Sequence, residues 1–396
     1  MERVFAAFWL GILAGGVSAQ DRKQDPPKAP ALSQAAVDAA IAKGVAYLKK
    51  APSPSAWAGI KDSDELILYT LLIADVPEND PVFQRYFEKM MSGPLEKTYK
   101  VALQAMILEE LDRVKHQGRI AMCAQFLVDN QCQNGQWSYG NPSEHVKEID
   151  LPKDVATAGE EKARPGGPRV YGDPSGGRIK PKVTRKIAIR KLKEGPESGD
   201  NSNSQYAALG LRACFDSGIA IPEGVVLLAV KWWRESMHPP SEKEGVYGGR
   251  GWNYKDPARD ERKPYHAMTA GGTGSLVIYD YMLGRDWKND SFVKAGMKWL
   301  TDHFSVSKNY YYMYGLERVG ILFGTPTFGT HDWYAEGARL LLKEQKPDGS
   351  WGDHKDKEDT KENEQERNTQ ETCFAILFLK KATRPLVASE DRSKMK

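Results

Sequence analysis

Two kinds of helix alternate along this chain, and the alternation leaves few ways to bury it. Apolar residues recur with helical period over 34–50, 80–92, 117–131, 222–237, 291–303 and 331–345, each with Lys, Arg and Glu on the opposite side. Between them lie segments 64–74, 98–111, 202–217, 265–283, 309–323 and 368–382, which are poor in charge. A helix that is apolar on most sides must be buried on most sides. Six hairpins, each joining a half-exposed helix to a buried one, make an internal repeat. Burying every second helix calls for an all-α double ring, with six inner helices surrounded by six outer ones.

One phrase punctuates this pattern. "FLVDNQCQNGQWSYG" (Phe126–Gly140) and "LLKEQKPDGSWGD" (Leu341–Asp353) both carry Gln, three residues, Gly, one residue, Trp. The phrase closes an outer helix before the chain turns inward: Gly supplies a left-handed helix end, and Trp packs its broad face. Degenerate copies end at Trp57 and Trp252. On these motifs the chain resembles the squalene cyclase and protein prenyltransferase repeat superfamily over roughly residues 34–382. The resemblance implies an (α/α)6 toroid with a central cavity. It says less about chemistry, because ligands and reactions vary widely on one scaffold.

The chain has 396 residues, 40% of them apolar, enough for a substantial core. A formal charge of +3 argues against a dedicated nucleic-acid binder. Arg3 precedes a short apolar run, Val4–Val17, with small residues before a cleavage point after Ala19. That pattern predicts a signal peptide at 1–19, a disordered leader at 20–33 and export to the periplasm or outside the cell; an uncleaved anchor is the alternative. Residues 383–396 read as a tail. Cys123, Cys132, Cys214 and Cys373 are too scattered for a disulfide framework.

Loops locate the expected site. Links from inner to outer helices are short, whereas three links in the other direction are long, and long loops gathered on one face mark a binding face. The longest, 141–200, contains "RIKPKVTRKIAIRKLKE" (Arg178–Glu194) between Gly/Pro-rich flanks that read as flexible. Two readings stand for Arg178–Lys193: a solvated loop, or a basic arm attracting polyanions or a membrane surface. The mixed-sign run 353–367 reads as a solvated loop.

Inner helices begin with polar or aromatic residues. Most read as caps for free backbone N–H groups. Capping does not account for Tyr99, Gln205, His266 or Tyr312, and with Asn203, Gln370 and Glu371 these make candidate ligand-binding residues at a cavity mouth. Glu317 and Arg318 join them, because a charged pair inside a buried helix either pairs structurally or faces a polar cavity. Six helix N-termini at one mouth would favour an anionic ligand.

Family chemistries find partial counterparts. Cyclases of the resembled superfamily use D-x-D-D; here Asp62-Ser63-Asp64-Glu65 ends in Glu, which makes Asp64 and Glu65 candidates beside His266 and Tyr312. The prenyltransferase zinc site implies Asp-x-Cys and His at inner-helix starts; Glu371-Thr372-Cys373 and His266 match in type but not in order, so no metal or other cofactor is expected, with His266 and Cys373 as weak ligand candidates. By fold-level analogy, Tyr99, Asn203, His266, Tyr312 and Arg318 also supply the residue types of a polysaccharide lyase or glycosidase acting on acidic glycans. No nucleophile elbow or phosphate loop occurs. The leading expectation is therefore binding, of an anionic glycan, an isoprenoid lipid or a partner protein, with a toroid enzyme as the alternative.

Overall fold

The computed structural model describes residues 32–52, 64–149, 180–239, 249–255, 263–352 and 361–386. The expected signal segment, Trp57, Asp62 and Ser63 lie outside the described residues. The described residues are mostly helical. Odd-numbered helices are α1 (Gln34–Leu48), α3 (Pro81–Ser92), α5 (Gln117–Asp129), α7 (Glu223–Glu235), α9 (Ser291–Asp302) and α11 (Trp333–Glu344). Even-numbered ones are α2 (Asp64–Ile73), α4 (Thr98–Asp112), α6 (Asn201–Asp216), α8 (His266–Met282), α10 (Tyr310–Phe323) and α12 (Lys361–Leu379).

The two sets differ as their sequences demand. On α3 only Phe83, Tyr86 and Met90 are buried, whereas on α8 every residue from Ala267 to Tyr281 is. Even helices pack on one another in the order α2, α4, α6, α8, α10, α12, and α12 packs back on α2. The odd helices lie against them, α5 on both α4 and α6, α11 on both α10 and α12, and α1 on both α11 and α12. Two short strand pairs complete the structure: β1 (Ile187–Ala188) with β2 (Ile219–Ala220), parallel, and β3 (Thr327–Phe328) with β4 (His331–Asp332), antiparallel.

The tryptophan phrase binds three helices at once. Trp137 donates its indole N–H to the Leu127 carbonyl of α5 at 2.7 Å, while its backbone N–H donates to Ser204 Oγ of α6 at 2.9 Å. Trp351 repeats this with Leu341 of α11 (2.8 Å) and Thr372 of α12 (2.9 Å). The Gln of each phrase reaches the next odd helix, Gln131 Nε2 to the Val225 carbonyl of α7 and Gln345 Nε2 to the Ala40 carbonyl of α1, both 2.8 Å. Gly135 and Gly349 take φ +92° and +91°, and a Cβ on either would collide with a backbone carbonyl of the same neighbour, Leu228 or Lys43. Thus α1 receives the α11 turn as α7 receives the α5 turn. Trp252 belongs with them: its indole bonds the Trp233 carbonyl of α7 at 2.8 Å and its N–H bonds Thr269 Oγ1 of α8 at 3.2 Å.

Two expectations are corrected. Residues 361–367 are helical rather than loop, because Lys, Glu, Gln and Arg are strong helix formers and prolong α12 toward its N-terminus; 353–360 lie outside the described residues. The 194–200 flank is not free: Gly195 N–H donates to the Gln131 carbonyl (3.1 Å), and the Pro196 and Glu197 carbonyls accept from Gln133 and Asn134. Residues 383–386, the last described, are held to the helices. Thr383 is bound to Glu317, and Arg384 pairs with Glu110 and lends its carbonyl to Arg212.

Packing leaves an electrostatic cost on α8. Asp280 on α8 is 1% exposed, and neither carboxylate oxygen has a hydrogen-bond partner. Arg234 and Arg285 stand 3.9 Å away, too far to compensate, and burial, with Asp290 adding to it, pushes the Asp280 carboxyl up to about 6. A raised carboxyl binds its proton more tightly folded than unfolded, so this group adds stability in acid and loses it as pH climbs through about 4 to 6. Asp280→Asn should remove a decline of about 2–3 kcal/mol from urea-unfolding free energies over that window; an unchanged pH slope would refute the assignment.

Candidate functional site

Side chains from α4, α6, α10 and α12 meet around Arg318. Its Nη2 donates to Gln205 Oε1 at 2.8 Å. The guanidinium lies over the rings of Tyr314 (4.6 Å) and Tyr206 (5.3 Å), an arrangement that stabilises a buried cation through the ring quadrupoles. Gln205 Nε2 in turn donates to the Tyr311 hydroxyl at 2.6 Å, which also bonds Ser202 Oγ at 2.6 Å. Tyr99 of α4 meets Tyr206 edge-on at 5.1 Å, and Phe374 of α12 meets Tyr311 at 5.5 Å. Because α8 packs between α6 and α10, these side chains cross a gap that the backbones do not.

The cluster has a surface side. Tyr311 is half-buried at the first turn of α10, and Tyr139, 6.4 Å from Tyr99, is 42% exposed. Arg318 lies deeper, 5% exposed, and its Nη1 is buried without a hydrogen-bond partner. Such a donor costs about 1–3 kcal/mol if nothing ever satisfies it. Burial raises the phenols of Tyr99, Tyr206, Tyr311 and Tyr314 above their ordinary range. All four stay protonated at neutral pH, so each hydroxyl keeps a proton it can donate.

The structure thus brings together Tyr99, Gln205 and Arg318 of the expected residues. Asn203 is next to them on α6, bonded to the Asp200 cap through both its backbone and side-chain N–H groups at 2.8 Å, with its Oδ1 buried and unpartnered. The other expected residues go elsewhere. His266 and Tyr312 converge on the segment before α10: His266 Nε2 lies 2.6 Å from the His303 carbonyl, and the Tyr312 hydroxyl donates to the Ser305 carbonyl at 3.0 Å. Their rings sit 5.0 Å apart, with Trp299 5.1 Å from His266. Asp64 pairs with Lys89, and Glu65 accepts from Gln104 at 3.3 Å. Glu371 lies against Gly352 beside Trp351, and Gln370 is half-buried on α12.

Glu317 and Arg318 part company. Glu317 accepts from the Thr383 N–H (2.9 Å) and hydroxyl (2.7 Å), anchoring the segment after α12, while Arg318 turns to the aromatic cluster. Cys373 is fully buried near Thr70, and burial pushes its thiol up to about 12, so it is no thiolate. Among the described residues, no group of three or more His, Cys, Asp and Glu side chains could hold a metal ion.

Sequence reasoning missed Ser202, Tyr206, Tyr311, Tyr314 and Phe374. The available signal was helical: Tyr311, Tyr314 and Arg318 are spaced i, i+3, i+7, one stripe of α10, and Tyr312 is off that stripe. No family model matches the chain, and no curated protein matches it.

Removing the Glu317 carboxylate strands two donors in a buried place. Glu317→Ala should cost about 2–4 kcal/mol of unfolding free energy, read from the urea midpoint. A loss under about 0.5 kcal/mol, the size of a surface change, would show that the anchor contributes nothing.

Proposed function

We propose that the six helix pairs close into an (α/α)6 toroid and that the protein is exported and binds an anionic ligand at the mouth where the even helices begin. Support for the ring comes from the return contact of α12 on α2 and from the seating of α1 in the α11 turn. The two Gln-x3-Gly-x-Trp phrases add the family resemblance, and the apolar Val4–Val17 run with its small-residue cleavage point argues for export. Among the described residues no helix is long and apolar enough to cross a membrane.

One observation carries the ligand: the buried, unsatisfied Nη1 of Arg318, behind a half-buried Tyr311. A guanidinium with one arm committed to Gln205 and one uncommitted is a receptor for a carboxylate, sulfate or phosphate. The tyrosines around it add hydroxyl donors and flat apolar faces, which suit either the sugar of an acidic glycan or the chain of an isoprenoid diphosphate. Both ligands present the same anion to Arg318. Binding is favoured over catalysis because protonated phenols and a protonated Cys373 offer donors rather than a base or nucleophile.

Thermal unfolding with uronate oligosaccharides, isoprenoid diphosphates and inorganic phosphate tests this. One anionic class should stabilise the protein, by about 2.7 kcal/mol at a hundred times its Kd. The gain should vanish in Arg318→Gln and shrink in Tyr311→Phe, a milder change that spares the packing. No stabilisation by any anion, or full stabilisation of both variants, would reject the reading.

A further inference from the structure

The described C-terminal part of the long insertion runs along α5 as a strap. Its backbone is pinned along its length. The Arg185 carbonyl accepts from Gln117 Nε2 (3.0 Å), Ile187 N–H donates to the Gly218 carbonyl (3.0 Å), the Arg190 carbonyl accepts from Gln125 Nε2 (2.6 Å), and Leu192 N–H donates to Asp129 Oδ1 (2.9 Å). Side chains alternate with period two. Ile187 and Ile189 are buried, 2% and 7% exposed, while Lys182, Thr184, Lys186, Ala188 and Arg190 all point to solvent. Arg185 is exposed beside them.

None of the side chains of Lys182, Arg185, Lys186 and Arg190 is held by an ion pair or hydrogen bond among the described residues. The acids nearest the foot of the strap are already taken, Glu109 and Glu110 by Lys180, and Glu110 also by Arg384. Four uncommitted cations therefore stand along a pinned stretch of backbone that would span about 26 Å if extended throughout at ~3.3 Å per residue. Fixing the backbone beforehand lowers the entropy lost when a ligand lands.

We propose that this strap is a docking site for an extended acidic polysaccharide, separate from the mouth and independent of the ligand assigned there. Single-file charge suits a chain whose sulfates or carboxylates recur along its length. Single-stranded nucleic acid calls for aromatic side chains between the cations, and the outward residues between them are Thr184 and Ala188. Insertion into a bilayer surface calls for large apolar or aromatic residues in the same row, and the outward residues within Lys182–Arg190 offer nothing larger than Ala188; Leu192, 48% exposed, lies beyond its end.

The test measures fluorescence polarisation of a labelled, highly sulfated oligosaccharide with the full chain, beside an uncharged oligosaccharide of equal length and sedimentation with anionic phosphatidylglycerol vesicles. The sulfated chain should bind, weakening as salt rises, and the uncharged one should not. The triple variant Lys182→Gln, Lys186→Gln, Arg190→Gln should lose about tenfold or more in affinity and show a shallower salt dependence. Lys231→Gln with Lys298→Gln, cations elsewhere on the surface, should leave binding unchanged. Arg185→Gln, a single exposed change, gives a smaller loss that does not depend on the triple variant's fold. Undiminished binding by the triple variant and by Arg185→Gln would overturn the proposal. Capture by vesicles without capture of the oligosaccharide would also overturn it, assigning the strap to a membrane.

Discussion

A buried tryptophan at the end of an odd helix, bonded through its indole to that helix and through its backbone to a Ser or Thr of an even one, is the interaction on which the other features rest. It occurs at Trp137, Trp252 and Trp351, all with no measurable exposure. Each sets the distance between a half-exposed helix and its buried partner with two directional bonds and one large apolar face. The accompanying Gln or Gly then meets the next odd helix. Because the Trp351 turn meets α1, the last turn of the chain is satisfied only if the first helix lies beside it. In the proposed ring, closure is therefore written into the same local chemistry that spaces the repeats.

Burying every even helix brings polar side chains into the interior, and the chain offsets their cost unevenly. Glu317 is satisfied by Thr383, and Gln205 is shared between Arg318 and Tyr311. Arg318 keeps an unsatisfied Nη1 among aromatic rings, and Asn203 keeps an unsatisfied Oδ1 nearby. Arg318 differs from Asp280 in its setting: it is linked through Gln205 to the half-buried Tyr311. In the proposed reading the first is a receptor and the second a packing cost.

Much of the helix pattern was legible because it rests on periodicity, a property of residues in sequence. The expected boundaries of α4, α8 and α10 lie within a residue of those observed. α12 ran longer because "KENEQER" has helix propensity without apolar periodicity, which reads as loop when only periodicity is weighed. At the site, residue type was legible and direction was not. Neighbouring residues on a helix point about 100° apart, so Tyr311 turns toward Gln205 and Phe374 while Tyr312 turns toward His266, which packs on Trp299. The two readings of the strap stayed open in the sequence for a related reason. Its charge masked a two-residue alternation, and its stability comes from Gln117, Gln125 and Asp129, distant in sequence.

Native-state hydrogen exchange on α1 tests closure most directly. In an open array of helix pairs the terminal helices fray independently, so α1 amides would exchange through a much smaller opening free energy than those of α6 and α8. In a closed ring, α1 is seated against α11 and α12 and opens only when the repeat beside it does. The account predicts that amides of α1, α11 and α12 exchange with opening free energies within about 1 kcal/mol of those in α6 and α8. Rapid exchange of α1 alone, with the central helices protected, would contradict it.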